Sequence, residues 1–258
     1  LFVLILAPEA FLPVRQGGGH FHESADGVAA ANAAFDLIEL GDETDGGDLP
    51  SGSRLTLEEV TFTWPGATDP AVAGLSLDVP EGRVVALTGA SGGGKSTALG
   101  LVMGFQRPDS GRVLIDGTDL TGLDLARWRA RTAWVGQNPG MVTGTVGDNV
   151  ALGHPGVPDA ELTAALRDAG ADFPLEKTVG DDGEGLSAGE RRRVALARAL
   201  IRIRRGGARL LVLDEPTAGL DADAEAAVIR AVRDSGAGAL VVSHRNAVLA
   251  AADEVVTL

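Results

Sequence analysis

Nine consecutive residues, Gly89, Ala90, Ser91, Gly92, Gly93, Gly94, Lys95, Ser96 and Thr97, have the types and spacing to hold a chain of phosphates. They fit G-x-x-x-x-G-K-[S/T] in full and directly follow the apolar run Val84-Val85-Ala86-Leu87. A buried strand, a glycine turn and a helix is the context a phosphate-binding loop needs. The glycines let several backbone N–H groups point at one anion, and the helix after Lys95 adds its positive N-terminal end. Lys95 can reach β- and γ-phosphates, and the Ser96 hydroxyl can ligate Mg2+. A second apolar run, Leu210-Leu211-Val212-Leu213, ends in two adjacent acids, Asp214 and Glu215. At a sheet edge beside the phosphate loop, Asp214 can hold Mg2+ through water, and Glu215 can orient or deprotonate an attacking water. The first run read alone is a glycine-rich turn with a lysine, and the second is a strand ending in solvated acids. Their pairing favours nucleoside triphosphate hydrolysis.

A third segment narrows the class. Leu186-Ser187-Ala188-Gly189-Glu190, followed by Arg191-Arg192-Arg193-Val194-Ala195-Leu196-Ala197-Arg198-Ala199-Leu200, resembles the LSGGQ signature and following helix of ATP-binding-cassette (ABC) ATPases. The other motifs of that family follow in its order. Trp64, in Thr63-Trp64-Pro65-Gly66, matches the aromatic that stacks on adenine, and an indole offers a large flat face for that. Gln137, in Gly136-Gln137-Asn138-Pro139, matches the glutamine that meets the metal. Asp221, in Ala218-Gly219-Leu220-Asp221, matches the loop after the acidic pair, and His244, in Ser243-His244-Arg245, matches the switch histidine. The resemblance implies an α/β fold: a cassette with a RecA-like, mostly parallel sheet, an antiparallel β subdomain and an α-helical signature subdomain. It implies ATP and Mg2+ as ligands, with Ser96, Gln137 and Asp214 around the metal and Glu215, Gln137 and His244 in catalysis. Ser187 and Gly189 would serve a nucleotide on a second cassette, and Asn138–Asn149 would touch a membrane domain. Two positions depart from the family pattern. Ala188 stands for the middle glycine of the signature and Glu190 for its glutamine.

The elements that must position these residues are legible in outline. Strand-like runs alternate with helical patterns, so a mostly parallel sheet is expected, and 258 residues suffice for a full α/β core with a helical subdomain. Arg191–Arg193 read as the solvated face of an amphipathic helix with one inward pairing, and Trp128 and Trp134 as packing residues. The net charge of −14 argues against a nucleic-acid partner reached through a basic surface. The absence of cysteine excludes a disulfide framework and suits a reducing compartment.

The N-terminal part reads as the tail of another domain. Residues 1–40 are expected to be the truncated end of a membrane domain and a connecting helix, with Val28, Ala31, Phe35 and Ile38 on one helical face. Residues 41–53 are an acidic, glycine-rich linker, and 54–258 the nucleotide-binding domain. Twelve helical residues at the start would span about 18 Å, short of a ~30 Å bilayer core. At most the last turns of a membrane helix are therefore expected here, and the chain as a whole is expected to be soluble, at the cytoplasmic face of a membrane. Leu6-Ala7-Pro8-Glu9-Ala10-Phe11-Leu12-Pro13-Val14-Arg15, with His20-Phe21-His22-Glu23-Ser24-Ala25-Asp26-Gly27, resembles the CydD family of thiol-reductant exporters. That resemblance implies export of cysteine or glutathione, a link to cytochrome bd assembly and a CydC-like second cassette, with a homodimer as the alternative. An exporter of lipid, drug or peptide, and a soluble ABC protein acting on ribosomes or DNA, remain as other readings. No heptad run lies between Thr97 and Leu186 to mark the DNA-acting type.

Overall fold

The computed structural model describes residues 46–258; the helix expected at 25–40 and the first part of the linker lie outside the described residues. The strands are β1 (Leu55–Phe62), β2 (Val72–Val79), β3 (Val84–Thr88), β4 (Ser110–Ile115), β5 (Thr118–Asp119), β6 (Thr132–Val135), β7 (Gly144–Thr145), β8 (Thr178–Val179), β9 (Leu210–Asp214), β10 (Gly238–Val242) and β11 (Glu254–Thr257). The α-helices are α1 (Lys95–Val102), α2 (Leu125–Ala130), α3 (Val146–Val150), α4 (Asp159–Asp168), α5 (Ala188–Arg204), α6 (Ala222–Asp234) and α7 (Asn246–Ala251).

A parallel sheet of order β11-β3-β10-β9-β6 forms the centre, and an antiparallel sheet of order β2-β1-β4-β5 packs beside it. The central strands are apolar at nearly every position because both faces are covered. Alternate residues of the sheet enter different cores. Leu211, Leu213, Ala239 and Val241 join α5, α6 and the other helices of one layer. Leu210, Val212, Leu240 and Val242 face α1 and the antiparallel sheet. β1 alternates buried and less buried residues as a half-covered strand should, and its pairing with β2 and β4 is interrupted around Glu59, which has φ +48°. The α/β architecture expected from the sequence, with parallel core, antiparallel sheet and helical layer, is the one that forms.

The later part of the expected linker runs along this body. Gly47 N–H donates to the Gly122 carbonyl, and the Arg131 guanidinium takes the carbonyls of Pro50, Ser51 and Gly52. Ser53 is buried, its N–H and hydroxyl both donating to Glu81.

Trp128 fixes the seam between α2 and α1. It is fully buried, and its indole N–H donates to the Val102 carbonyl at 2.8 Å, at the end of α1. Trp128→Ala is expected to cost about 3–5 kcal/mol, from lost burial and an orphaned carbonyl. Urea unfolding checks this; a cost under about 1 kcal/mol would contradict the packing role.

Candidate active site

Four neighbouring strands of the parallel sheet, β3, β10, β9 and β6, end at one edge. Val242 pairs with Leu87 on one side and with Asp214 on the other, and Leu213 pairs with Val135. The chain leaving each of these ends carries a candidate group: the phosphate loop after β3, Gln137 after β6, Glu215 after β9 and His244 after β10. This is the carboxyl edge, where open parallel sheets bind ligands.

The groups meet around a cleft of about 570 Å³. Gly89, Ser91, Gly92 and Gly94 to Thr97 form its floor. Trp64, Gln137, Asp214, Glu215 and His244 form its walls. Ala90 and Gly93 belong to the loop without lining the cleft, and the Gly93 N–H donates to the Ala90 carbonyl. Ala71 is a wall residue that no motif announced; it enters because the turn between β1 and β2 folds over the loop.

The floor has the form of an anion cradle. Gly94 has φ +84°, and a Cβ there would stand 1.7 Å from the Ala71 carbonyl oxygen, so conformation and space both demand glycine. No side chain caps α1, whose first-turn N–H groups have no helical acceptor. Lys95 Nζ donates to the carbonyls of Gly89 at 3.0 Å and Ala90 at 2.6 Å, which curls the ammonium over the loop. An uncapped helix start, a curled glycine loop and a lysine fit a triphosphate.

Ser96 Oγ donates to Asp214 Oδ2 at 3.0 Å. Burial pushes the Asp214 carboxyl up and the adjacent Glu215 charge adds to this, while the Ser96 hydroxyl opposes it. A hydroxyl, a carboxylate and the Gln137 amide are hard oxygen donors, and such a sparse set suits Mg2+, which keeps waters and phosphate oxygens as its other ligands. Among the described residues no cluster of three or more His, Cys, Asp or Glu could hold a metal by itself.

Glu215 sits in the left-handed region at φ +49°, a position that costs about 1–3 kcal/mol for a residue with a side chain. The bend leaves its N–H on the Val242 carbonyl and sets Oε1 at 3.2 Å from His244 Nδ1. A carboxylate and an imidazole so placed can share the proton of a water attacking along the cleft. Trp64 is 45% exposed, braced edge-on by Phe62 with ring centroids 5.1 Å apart, and its indole N–H donates to Thr97 Oγ1. Its open face can stack on a base.

The signature residues stand apart from this cleft. Ser187 is the N-cap of α5, and Ser187 and Gly189 do not line the cleft. Asp221 is likewise spent as a cap, accepting the Ala224 N–H. The three arginines expected as a solvated face with one inward pairing are all half-buried, and two of them bond inward. Arg191 donates to the Leu186 carbonyl and Arg192 to the Gln137 carbonyl at 3.0 Å, joining the helical layer to the glutamine loop. Sequence reasoning also missed Arg245. It pairs with buried Glu225 at 2.6 Å and donates to the carbonyls of Thr217 and Leu220, tying the histidine loop to the segment after Glu215. The adjacency of Arg245 to His244 was the only signal for it.

Fold and cleft together define a phosphate-loop ATPase cassette with a separate helical layer. A family model described as ABC transporter matches residues 72–218, and the chain belongs to that family as its ATPase domain. The chain is 36% identical over 269 residues to the glutathione/L-cysteine transport system ATP-binding/permease protein CydD of Haemophilus influenzae, covering 98% of this chain and 44% of that protein. It is 35% identical over 260 residues to an ATP-dependent lipid A-core flippase of Chromobacterium violaceum, covering 96% of this chain and 44% of the flippase. Among solved structures, a bacterial Atm1-family ABC exporter with ATP bound matches with a TM-score of 0.73 and 30% identity, covering 100% of this chain and 46% of the exporter. The chain thus spans less than half the length of these relatives. Among the described residues no helix is long and apolar enough to cross a membrane.

Two predictions follow from the site geometry. Lys95→Ala is expected to weaken ATP binding more than about tenfold in a fluorescence titration, roughly 1.4 kcal/mol or more; unchanged affinity contradicts the cradle. Glu190, hydrogen-bonded by Lys177 and by the Ser187 N–H, is held well below the ordinary glutamate value of 4.5, at about 2. A carboxyl depressed in the folded state stabilises it above the unfolded value and ceases to do so as pH falls through the folded value. The stability advantage over Glu190→Gln should therefore be full above pH 4.5 and shrink toward pH 2. Urea titrations across that window check it, and an advantage independent of pH contradicts it.

Proposed function

We propose that this chain is the ATP-binding and hydrolysing domain of an exporter that moves thiol reductants, cysteine or glutathione, across a membrane, with Mg2+ as the metal. The observation that carries the ATPase part is the convergence of Lys95, Ser96, Asp214, Glu215 and His244 at one sheet edge. The family motif carried by Ser187 and Gly189 lies outside that cleft, which supports a two-chain site. A second cassette would supply its signature to this chain's nucleotide, and this chain's Ser187 and Gly189 would serve the other.

In this reading Trp64 stacks on adenine, and Lys95 with the loop amides holds the β- and γ-phosphates. Ser96, Gln137 and Asp214 would hold Mg2+, which neutralises charge on the phosphate oxygens when bound. Glu215 draws the proton from the attacking water, and His244 aligns Glu215 and steadies the γ-phosphate. Closure of the pair is worth the difference in ATP affinity between closed and open states. Arg192 on the Gln137 carbonyl, together with the segment Asn138–Asn149, would pass that movement to membrane domains at the cytoplasmic face. The partner is then a CydC-like chain or a second copy.

The thiol cargo rests on the likeness to the Haemophilus influenzae protein and on the motif at Leu6–Arg15 and His20–Gly27. The near-equal likeness to lipid A-core flippases supports a second reading, an exporter of lipid. ATP-driven uptake of labelled cysteine and glutathione into inside-out vesicles carrying the full-length protein separates the two. Thiol uptake that Glu215→Gln lowers more than about tenfold is expected, on the scale of losing a general base. Intact ATPase activity with no thiol uptake discards the cargo.

A further inference from the structure

Glu190, one of the two departures from the family signature, is held by a cation from outside its own helix. Its Oε2 accepts the Ser187 N–H at 2.8 Å, and its own N–H donates to Ser187 Oγ at 3.2 Å, a reciprocal capping box at the start of α5. Its Oε1 takes Lys177 Nζ at 2.5 Å. Two neighbouring arginines are occupied elsewhere, Arg191 on the Leu186 carbonyl and Arg192 on the Gln137 carbonyl. Arg193 lies beside Gly189 without an ion pair to Glu190 among the described residues. Among the described residues Lys177 is the cation paired with Glu190.

Lys177 is itself firmly placed. Its ammonium lies 5.2 Å from the Phe173 ring centre. Its carbonyl accepts the Val146 N–H, and the next residue, Thr178, pairs with Thr145 in the β7·β8 ladder. The lysine is thus carried on backbone bonded to the segment that follows Gln137, and its charge lands on the signature.

That charge has a purpose at this position. A glutamine would cap Ser187 without adding charge, whereas a carboxylate puts a negative group within one turn of exposed Ser187 and half-buried Gly189. Asp181, Asp182 and Glu184, all exposed, already make the approach acidic. An unpaired carboxylate there would repel an incoming triphosphate, and more strongly as closure removes water. We propose that Lys177 is a positioning residue for the signature: by pairing with Glu190 it keeps the start of α5 able to accept a phosphate held by a second cassette. This rests on the two-cassette reading above.

The test uses the full-length transporter in lipid, with Lys177→Met, Glu190→Gln and the double variant, scored by ATPase kinetics against ATP concentration. Lys177→Met should raise the KM for ATP about tenfold with a much smaller change in kcat, and the defect should shrink at high salt. Adding Glu190→Gln should return the KM to that of Glu190→Gln alone. An unchanged KM in Lys177→Met, or a defect that Glu190→Gln does not rescue, overturns the proposal and leaves the lysine as scaffold. Thermal melts of each variant identify any loss through misfolding. Ser187→Ala in the same preparation separates the two layers. If it abolishes ATP-driven closure while Lys177→Met does nothing, only the pairing role falls. If it leaves closure intact, the two-cassette reading falls and this proposal with it.

Discussion

The parallel register of β3, β10 and β9 is the constraint on which the rest depends. Because Val242 is bonded in line with both Leu87 and Asp214, the phosphate loop, the acidic pair and the histidine loop leave the sheet side by side. A shift of one residue would turn each strand's side chains to the opposite core; the two cores are filled by different side chains, so close packing on each face holds the register. The Ser96–Asp214 and Glu215–His244 contacts follow from it. So does the strain at Glu215, whose N–H stays on the ladder while its side chain turns away from it.

The helical layer is attached to this frame largely through arginine. Arg198 is half-buried, and among the described residues no carboxylate pairs with it; it donates to the carbonyls of Asn149 and Gly140 and to the Asn149 side chain. Burial and the nearby Arg202 charge lower its pKa, yet a guanidinium stays protonated there. Its five donors suit a curved stretch of backbone better than an ammonium would. Arg202 donates to the Ala130 carbonyl and Arg192 to that of Gln137. Moving α5 relative to the sheet therefore breaks charge-assisted bonds to the glutamine loop and the turn before β6, which couples the two layers.

Much of this was legible because chemistry sits where a local pattern changes. An apolar run that stops at glycines and a lysine, or at two acids, names both a strand and what it presents. The S-x-x-E spacing at Ser187–Glu190 carries a capping-box signal too, one that the signature reading passed over. The partners of long side chains were not legible. Arg191–Arg193 have the composition of a solvated face, and only the fold shows Arg192 reaching a carbonyl 55 residues away. Lys177 and Glu190 are 13 residues apart with no shared periodicity, so nothing local pairs them. Ala71 lines the cleft through its backbone path, which leaves no trace in residue type.

The central claim is that the catalytic cleft lies at one sheet edge and is completed by the signature of a second cassette. The most direct measurement is a cryo-electron microscopy structure of the full-length Glu215→Gln protein with Mg-ATP. The account predicts two cassettes closed on ATP, with the γ-phosphate between Lys95 of one and the Ser187 hydroxyl or its counterpart of the other. ATP bound beside Lys95 with no signature residue of a second cassette within hydrogen-bond distance would contradict it.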